Sequence, residues 1–184
     1  MALKHGILGL LNYGDMTGYD LMKIFEKSLH YFWHVKTSQI YLELDNMAKS
    51  GLVIFRKEIQ ESRPNKNIFM ITEKGKDELR KWLSHYDMKK SFNMKNEFLM
   101  IIFFLNELPK EEALRILEEY KEQCMKEKDS LMDANETVQT FKDIYSVNKK
   151  DHIFWQLTVK HGELCYEACL KWADYAIEVI KNKL

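Results

Sequence analysis

Three soft side chains recur at intervals of four near the end of the chain: His161, Cys165 and Cys169. Imidazole and thiol groups at that spacing share one stripe of a helix, and they are the types that hold zinc or sense oxidants. The spacing argues against a metal. Two steps of four spread the ligands over ~12 Å of helical rise, too far for one ion. Cysteine is also among the most buried residue types, so the same stripe reads as a helix seam. A redox role for Cys124, Cys165 or Cys169 stays open. No Gly-rich phosphate loop, Ser-His-Asp set or ligand-spaced metal motif occurs elsewhere, and the scattered Glu residues fall on helix faces where solvated charge belongs. Neither an enzyme nor a cofactor is expected.

The other chemistry is hydrogen bonding and charge, gathered around TSQIYLELDNMAKSGLV at 37–53. With Ile40 as origin and about 100° per residue, Leu44 and Met47 lie within about 40° of it and define a buried side. Ser38, Leu42, Asp45 and Lys49 lie opposite, with Tyr41 and Asn46 on the flanks. Such an outward face can hydrogen-bond base edges and phosphates. Lys36 just before the helix, and Arg63 and Lys66 after it, are placed to meet phosphates; Arg56 and Lys57 could add to them. The plain alternative is a set of solvated charges on a small α/β domain.

The elements that must position these residues can be read from the pattern. Helices are expected over 2–13, with Leu3, Ile7, Leu10 and Leu11 at helical spacing, and from Thr17, whose partner Asp20 makes a capping-box-like pair. The second helix would bury Leu21, Ile24, Phe25 and Leu29. A third runs over 38–50, and Gly51 stands where a left-handed residue ends helices. Then the period shortens: VIFRKEIQ and NIFMIT flank the turn-forming ESRPNK, giving a two-stranded hairpin over 52–59 and 66–71. Thr72 caps a further helix with Leu79, Trp82 and Leu83 on its apolar side. Helix, helix, helix, hairpin is the order of a winged helix-turn-helix, in which the third helix enters the major groove.

The second half differs in kind. A very apolar helix at 95–106 should be buried on most sides. Pro109 opens a long helix in which Leu117, Cys124, Leu131, Val138 and Tyr145 recur every seven residues. Tyr120, Glu127, Ala134 and Phe141 accompany them, a coiled-coil seam imperfect at Glu127. A last helix, 151–181, places Trp155, Val159, Gly162, Tyr166, Cys169, Trp172, Ala176 and Ile180 on one side. Such stripes need a partner, either each other or a second copy. The fold class is thus mostly α with a small β-hairpin: a winged helix-turn-helix domain (1–87) and an all-helical, coiled-coil-like dimerisation domain (88–184).

Charge supports this weakly. The 28 Lys+Arg balance 28 Asp+Glu overall. Residues 1–85 carry 13 against 10, a net of +3, and the remainder 15 against 18, a net of −3. The longest strongly apolar run, at 98–105, is 8 residues, far short of the ~20 that a membrane span needs. No signal-peptide pattern follows the N-terminus, and an odd cysteine count suits a reducing compartment. Cytoplasmic residence without membrane contact is expected.

TGYDLMKIFEKS at 17–28, TSQIYLELDNMAKSGLV at 37–53 and SRPNKNIFMITEKGKDELRKWL at 62–83 together resemble the PadR family of bacterial transcription regulators. The Gly-Tyr pair, the Ser-Gln-Ile-Tyr start, the Gly-Leu-Val exit and the Thr-Glu-Lys-Gly stretch carry the likeness. The second half resembles, in pattern, the longer-chain subfamily with a helical dimerisation region. The resemblance implies a sequence-specific DNA-binding regulator, a repressor, that binds double-stranded DNA at a palindromic operator as a homodimer. It places Tyr41 on the phosphate backbone, Thr37, Ser38 and Gln39 at the start of the recognition helix with Asn46 and Lys49 beyond, and Arg63, Asn65 and Lys66 at the wing tip. Leu42 departs from the proline common in relatives and would meet a thymine methyl. Dimerisation falls to Leu117, Tyr120, Cys124, Leu131, Trp155, Cys169 and Trp172. The resemblance also suggests a small aromatic effector, with Tyr31, Trp33, His34 and Phe98 as its pocket; the other reading of these rings is core and dimer interface. The rival from another class is a winged-helix interaction module that recruits protein partners through its long helices.

Overall fold

The computed structural model describes the backbone of residues 2–29, 32–59, 65–92, 95–144 and 149–184, and their side chains except 27, 28, 92, 132–144 and 149. Two units form. One comprises Met1–Tyr86 with Glu136–Ile153, the other Asp87–Asn135 with Phe154–Leu184.

In the first unit, Thr17 caps the second helix as its spacing predicts: its hydroxyl accepts the Asp20 N–H at 3.1 Å, and its own N–H donates to Asp20 Oδ2 at 3.1 Å. The order is α1 (Ala2–Leu11), β1 (Met16–Thr17), α2 (Gly18–Ile24), α3 (Thr37–Lys49), β2 (Val53–Glu58), β3 (Lys66–Ile71) and α4 (Glu73–Ser84). A π-helical turn, Phe25–Leu29, prolongs α2. Gly51 ends α3 with φ +71, a conformation that side chains resist. Leu21, Phe25, Ile40, Leu44 and Met47 are 0–2% exposed, so α3 seals its stripe within this unit, while of the expected α2 stripe Ile24 and Leu29 are only half-buried. Leu83 is instead 63% exposed, leaving α4 a narrower apolar side than expected.

The sheet has one strand more than the hairpin. Its antiparallel order is β1-β3-β2, with Met16 opposite Phe69 and Phe55 also opposite Phe69. Two residues are too few to show a period of two, so β1 left no mark in the sequence.

The second unit holds α5 (Glu97–Phe103) and the greater part of α6 (Lys110–Ile144) and α7 (Lys149–Lys183), whose stretches 136–144 and 149–153 count with the first unit. Ion pairs Glu118–Lys181, Lys121–Asp174 and Lys128–Glu167 run in opposite senses along α6 and α7, so the two helices pack antiparallel here. The seven-residue repeat is their seam: Leu117, Cys124 and Leu131 are 1, 6 and 1% exposed. Val138, Tyr145, Ala134 and Phe141 lie outside the described side chains.

The apolar segment before α6 corrects an expectation. It forms a seven-residue helix with no buried residue, and Met100, Phe103 and Phe104 are 64, 79 and 59% exposed. Its composition is that of a core element, but its own chain covers it only in part, at Phe98, Ile102 and Leu105. No helix among the described residues is long and apolar enough to cross a membrane.

Candidate nucleic-acid interface

The candidate reading head is α3, and hydrogen bonds fix both of its ends. At the N-terminus the Lys36 N–H donates to Gln39 Oε1 at 3.0 Å, while the Gln39 N–H donates back to the Lys36 carbonyl at 2.9 Å. The Gln39 amide oxygen is thus occupied in capping; its NH2 remains as the donor to offer a ligand. Thr37 Oγ1 donates to Met22 Sδ at 3.2 Å, tying the first turn to α2. At the C-terminus, Lys74 Nζ donates to the Ser50 carbonyl at 2.8 Å, a cation on the negative end of the helix dipole. Thr72 Oγ1 donates to the Gly51 carbonyl at 2.8 Å and accepts the Gly75 N–H at 3.1 Å, so one hydroxyl serves both the exit of α3 and the start of α4.

Between those ends, the residues singled out from the sequence stand outward. Lys36, Thr37, Ser38, Gln39, Asn46 and Lys49 are exposed, Tyr41 is 45% exposed and Leu42 63%. Lys66 begins the returning wing strand and Asn65 precedes it, both exposed, and Lys66 is paired in register with Glu58. Arg63 lies outside the described residues. Arg56 is exposed on β2 with Asp15 at 3.9 Å, which dilutes its charge. Lys36, Lys49, Arg56, Lys57 and Lys66 share the α3 and wing segments with Glu43, Asp45 and Glu58. The face is modestly basic, with polar donors and one apolar side chain, a mixture suited to groove contact rather than indiscriminate phosphate binding.

Behind α3, α1 and α4 are joined by Lys4 and His5. Lys4 Nζ donates to Glu78 Oε1 at 2.6 Å, and His5, 6% exposed, stacks on Trp82 at 4.6 Å with its Nε2 3.2 Å from the same oxygen. The Lys4 hydrogen bond, helped by His5, holds the Glu78 carboxyl below its ordinary range.

The residues expected to dimerise occupy two kinds of place. Leu117, Cys124 and Leu131 are already buried within one chain's helical hairpin. Tyr120, Trp155, Cys169 and Trp172 are half-buried. Phe98 stacks on Tyr120 at 4.1 Å, and Trp172 meets both rings edge-on at 6.1 and 5.8 Å. Burial pushes the Tyr120 phenol up, reinforced by its hydrogen bonds with Cys169 and Cys124; burial likewise pushes the Cys124 thiol up. A Cys124 thiol so raised and buried in the seam suits packing better than redox sensing. His161 lies 3.8 Å from the exposed Cys165 sulfur, and among the described residues no group of His, Cys, Asp or Glu could hold a metal.

Of the expected effector pocket, Trp33 and His34 are exposed before α3, Phe98 belongs to the helical unit's aromatic cluster, and Tyr31 lies outside the described residues. A different cavity went unnoticed in the sequence. It is an open apolar groove of about 510 Å³ in the helical unit, lined by Leu105, Leu108, Leu117, Trp172, Tyr175 and Val179 among others. Its walls come from residues 102–117 and 172–184, two stretches far apart in sequence, which no local pattern announces.

Comparison with known proteins bears on both units. A family profile described as the transcriptional regulator PadR-like family matches residues 7–81, and one described as virulence activator alpha C-term matches 94–181. The negative transcriptional regulator PadR of Bacillus subtilis (strain 168) is 36% identical over 133 residues, 72% of this chain and 70% of that protein. A crystal structure of Bacillus subtilis PadR with operator DNA matches with a TM-score of 0.81 and 26% identity, covering 98% of each chain. The structure of that protein with p-coumaric acid matches in fold, with a TM-score of 0.76, 24% identity, and 98% of this chain and 99% of that one covered. This chain belongs to the PadR-like family of transcriptional regulators.

Proposed function

We propose that the chain is a homodimeric repressor that binds a palindromic operator through α3 and the wing. One observation carries this reading: α3 seals Ile40, Leu44 and Met47 at 0–1% exposure while Ser38, Leu42, Asn46 and Lys49 stand exposed on its other side. A helix held that firmly from behind can present a fixed pattern to a groove. The relative named a negative regulator, crystallised with operator DNA, supports the sign and the target. Lys36, Arg63, Asn65 and Lys66 would meet phosphates together with Tyr41. Thr37, Ser38, Gln39, Leu42, Asn46 and Lys49 would face the groove.

The functional division falls near residue 88, with DNA binding before it and dimerisation after it. Leu117, Cys124 and Leu131 build each copy's hairpin, flanked by Tyr120, Trp155, Cys169 and Trp172. The exposed α5 side chains supply the apolar area that a second copy would cover. A small aromatic effector, for which the p-coumaric acid complex of the Bacillus relative is the precedent, would change operator affinity by shifting the separation of the two recognition helices.

Genomic pull-down followed by footprinting tests the reading. The expected result is a protected palindrome with half-sites about one helical turn apart. Lys36→Ala and Lys66→Ala should each lower the salt slope of binding by about two, one for each half-site. Protection found nowhere would sink the operator reading and favour an interaction module. An unchanged salt slope would remove the phosphate assignment.

A further inference from the structure

Gly18 is the first residue of α2, and it is buried. Helices favour alanine over glycine, so a glycine here needs a reason. Backbone conformation does not supply one: among the described residues the glycine with positive φ is Gly51. Space does. A Cβ on Gly18 would lie 2.5 Å from Tyr41 Cε1, 3.0 Å from Cζ and 3.2 Å from Cδ1. The nearest neighbours of that missing atom all belong to a single ring, and the ring stands on the outward side of α3.

We infer that Gly18 is a positioning residue for DNA binding, its bare α-carbon forming the slot that seats the Tyr41 ring and aims the phenol at the DNA backbone. The inference rests on the operator-binding reading above. Tyr41 is 45% exposed, so one edge of its ring is held while the rest faces solvent. The crowded atoms include the hydroxyl-bearing end of the ring, which can swing aside without moving backbone. An added methyl therefore displaces the hydroxyl and leaves the fold intact. Displacement matters because a hydrogen bond to a charged phosphate oxygen fades quickly with distance and angle.

The test is a double-mutant cycle on a duplex that the wild-type chain selects from a random-sequence pool. Tyr41→Ala should weaken binding roughly tenfold at each half-site, or about a hundredfold for the dimer, the worth of one hydrogen bond to a charged group per half-site. Gly18→Ala should weaken it by a similar factor. In the Tyr41→Ala background Gly18→Ala should be silent, because no ring remains to be displaced. The salt slope of Gly18→Ala should match wild type, since a neutral phenol releases no counterion. Wild-type binding by Gly18→Ala alongside a weakened Tyr41→Ala removes the role of Gly18 and leaves the operator reading standing. Equal losses from Gly18→Ala in both backgrounds also overturn the inference, placing the effect in α2. A silent Tyr41→Ala, or no selectable duplex, defeats the contact reading and the inference with it. If Gly18→Ala proves unstable alone, Tyr41→Ala must restore its melting temperature; failure to restore it overturns the shared slot.

Discussion

The two units treat apolar side chains in opposite ways. The winged-helix unit closes its core within one chain: Ile7, Leu8, Leu21, Ile40 and Leu44 are all 0% exposed. The helical unit seals a narrow seam at Leu117, Cys124 and Leu131 but leaves Met100, Phe103, Phe104 and Tyr175 at 59–79% exposure. Burying a Phe or Leu is worth about 1.5–3 kcal/mol, so the second unit holds much apolar surface that a single chain leaves in water. A unit that forms a fixed reading head can be finished alone. On the homodimer reading proposed above, the open side of the helical unit is the part of its core kept for joining copies.

The largest expected effect probes the sealed side of that contrast. Leu44→Ala should cost about 3 kcal/mol in denaturant unfolding, through lost burial and the cavity left behind. A loss below about 1 kcal/mol would mean that α3 is not anchored as described. Next comes the open side. Phe103→Asp should leave the circular dichroism of the chain unchanged and raise the dimer dissociation constant about a hundredfold in sedimentation, as removal of an interface anchor does. It should also change the concentration dependence of melting, which self-association creates. Dimerisation unchanged would move the interface away from α5.

The smallest effect is electrostatic and confined to the winged-helix unit. Lys4 and His5 hold the folded pKa of Glu78 below the reference value of 4.5. The carboxylate therefore contributes stability that is full above about pH 4.5 and is lost as the pH falls through the lowered folded value. The group is partly exposed, so the contribution is about 0.5 kcal/mol. Unfolding titrations at pH 6 and pH 3 should show a smaller acid loss in Glu78→Gln than in wild type. An identical loss would place the acid sensitivity elsewhere.

Much of this architecture was legible because its signals are local. Thr17 with Asp20, Thr72, Gly51 and the Ile40-Leu44-Met47 stripe each declare a cap, an exit or a buried side within a few residues. What stayed hidden was non-local or too short. The strand Met16–Thr17 exists through its pairing with Ile68 and Phe69, far along the chain. Composition marked 95–106 as buried but cannot say whether the cover comes from the same chain. The resemblance put Gln39 at the start of the recognition helix, whereas the loop before α3 sets its oxygen to capping. The apolar groove and the seat of Tyr41 on Gly18 depend on side chains brought together only by folding. The candidate DNA contacts were legible as types and positions, and their roles now rest on the experiments above.

The mounting of α3 has a consequence for how such regulators diverge. Its ends are held by the backbone and side chain at Lys36 and Gln39, by Thr37 on Met22, and by Thr72 and Lys74 on the carbonyls at Gly51 and Ser50. Ser38, Leu42, Asp45 and Asn46 belong to neither these ties nor the sealed stripe. Substitutions at these four sites can therefore accumulate at little thermodynamic expense. Descendants of one ancestral chain can acquire new target sequences while inheriting the same rigid scaffold.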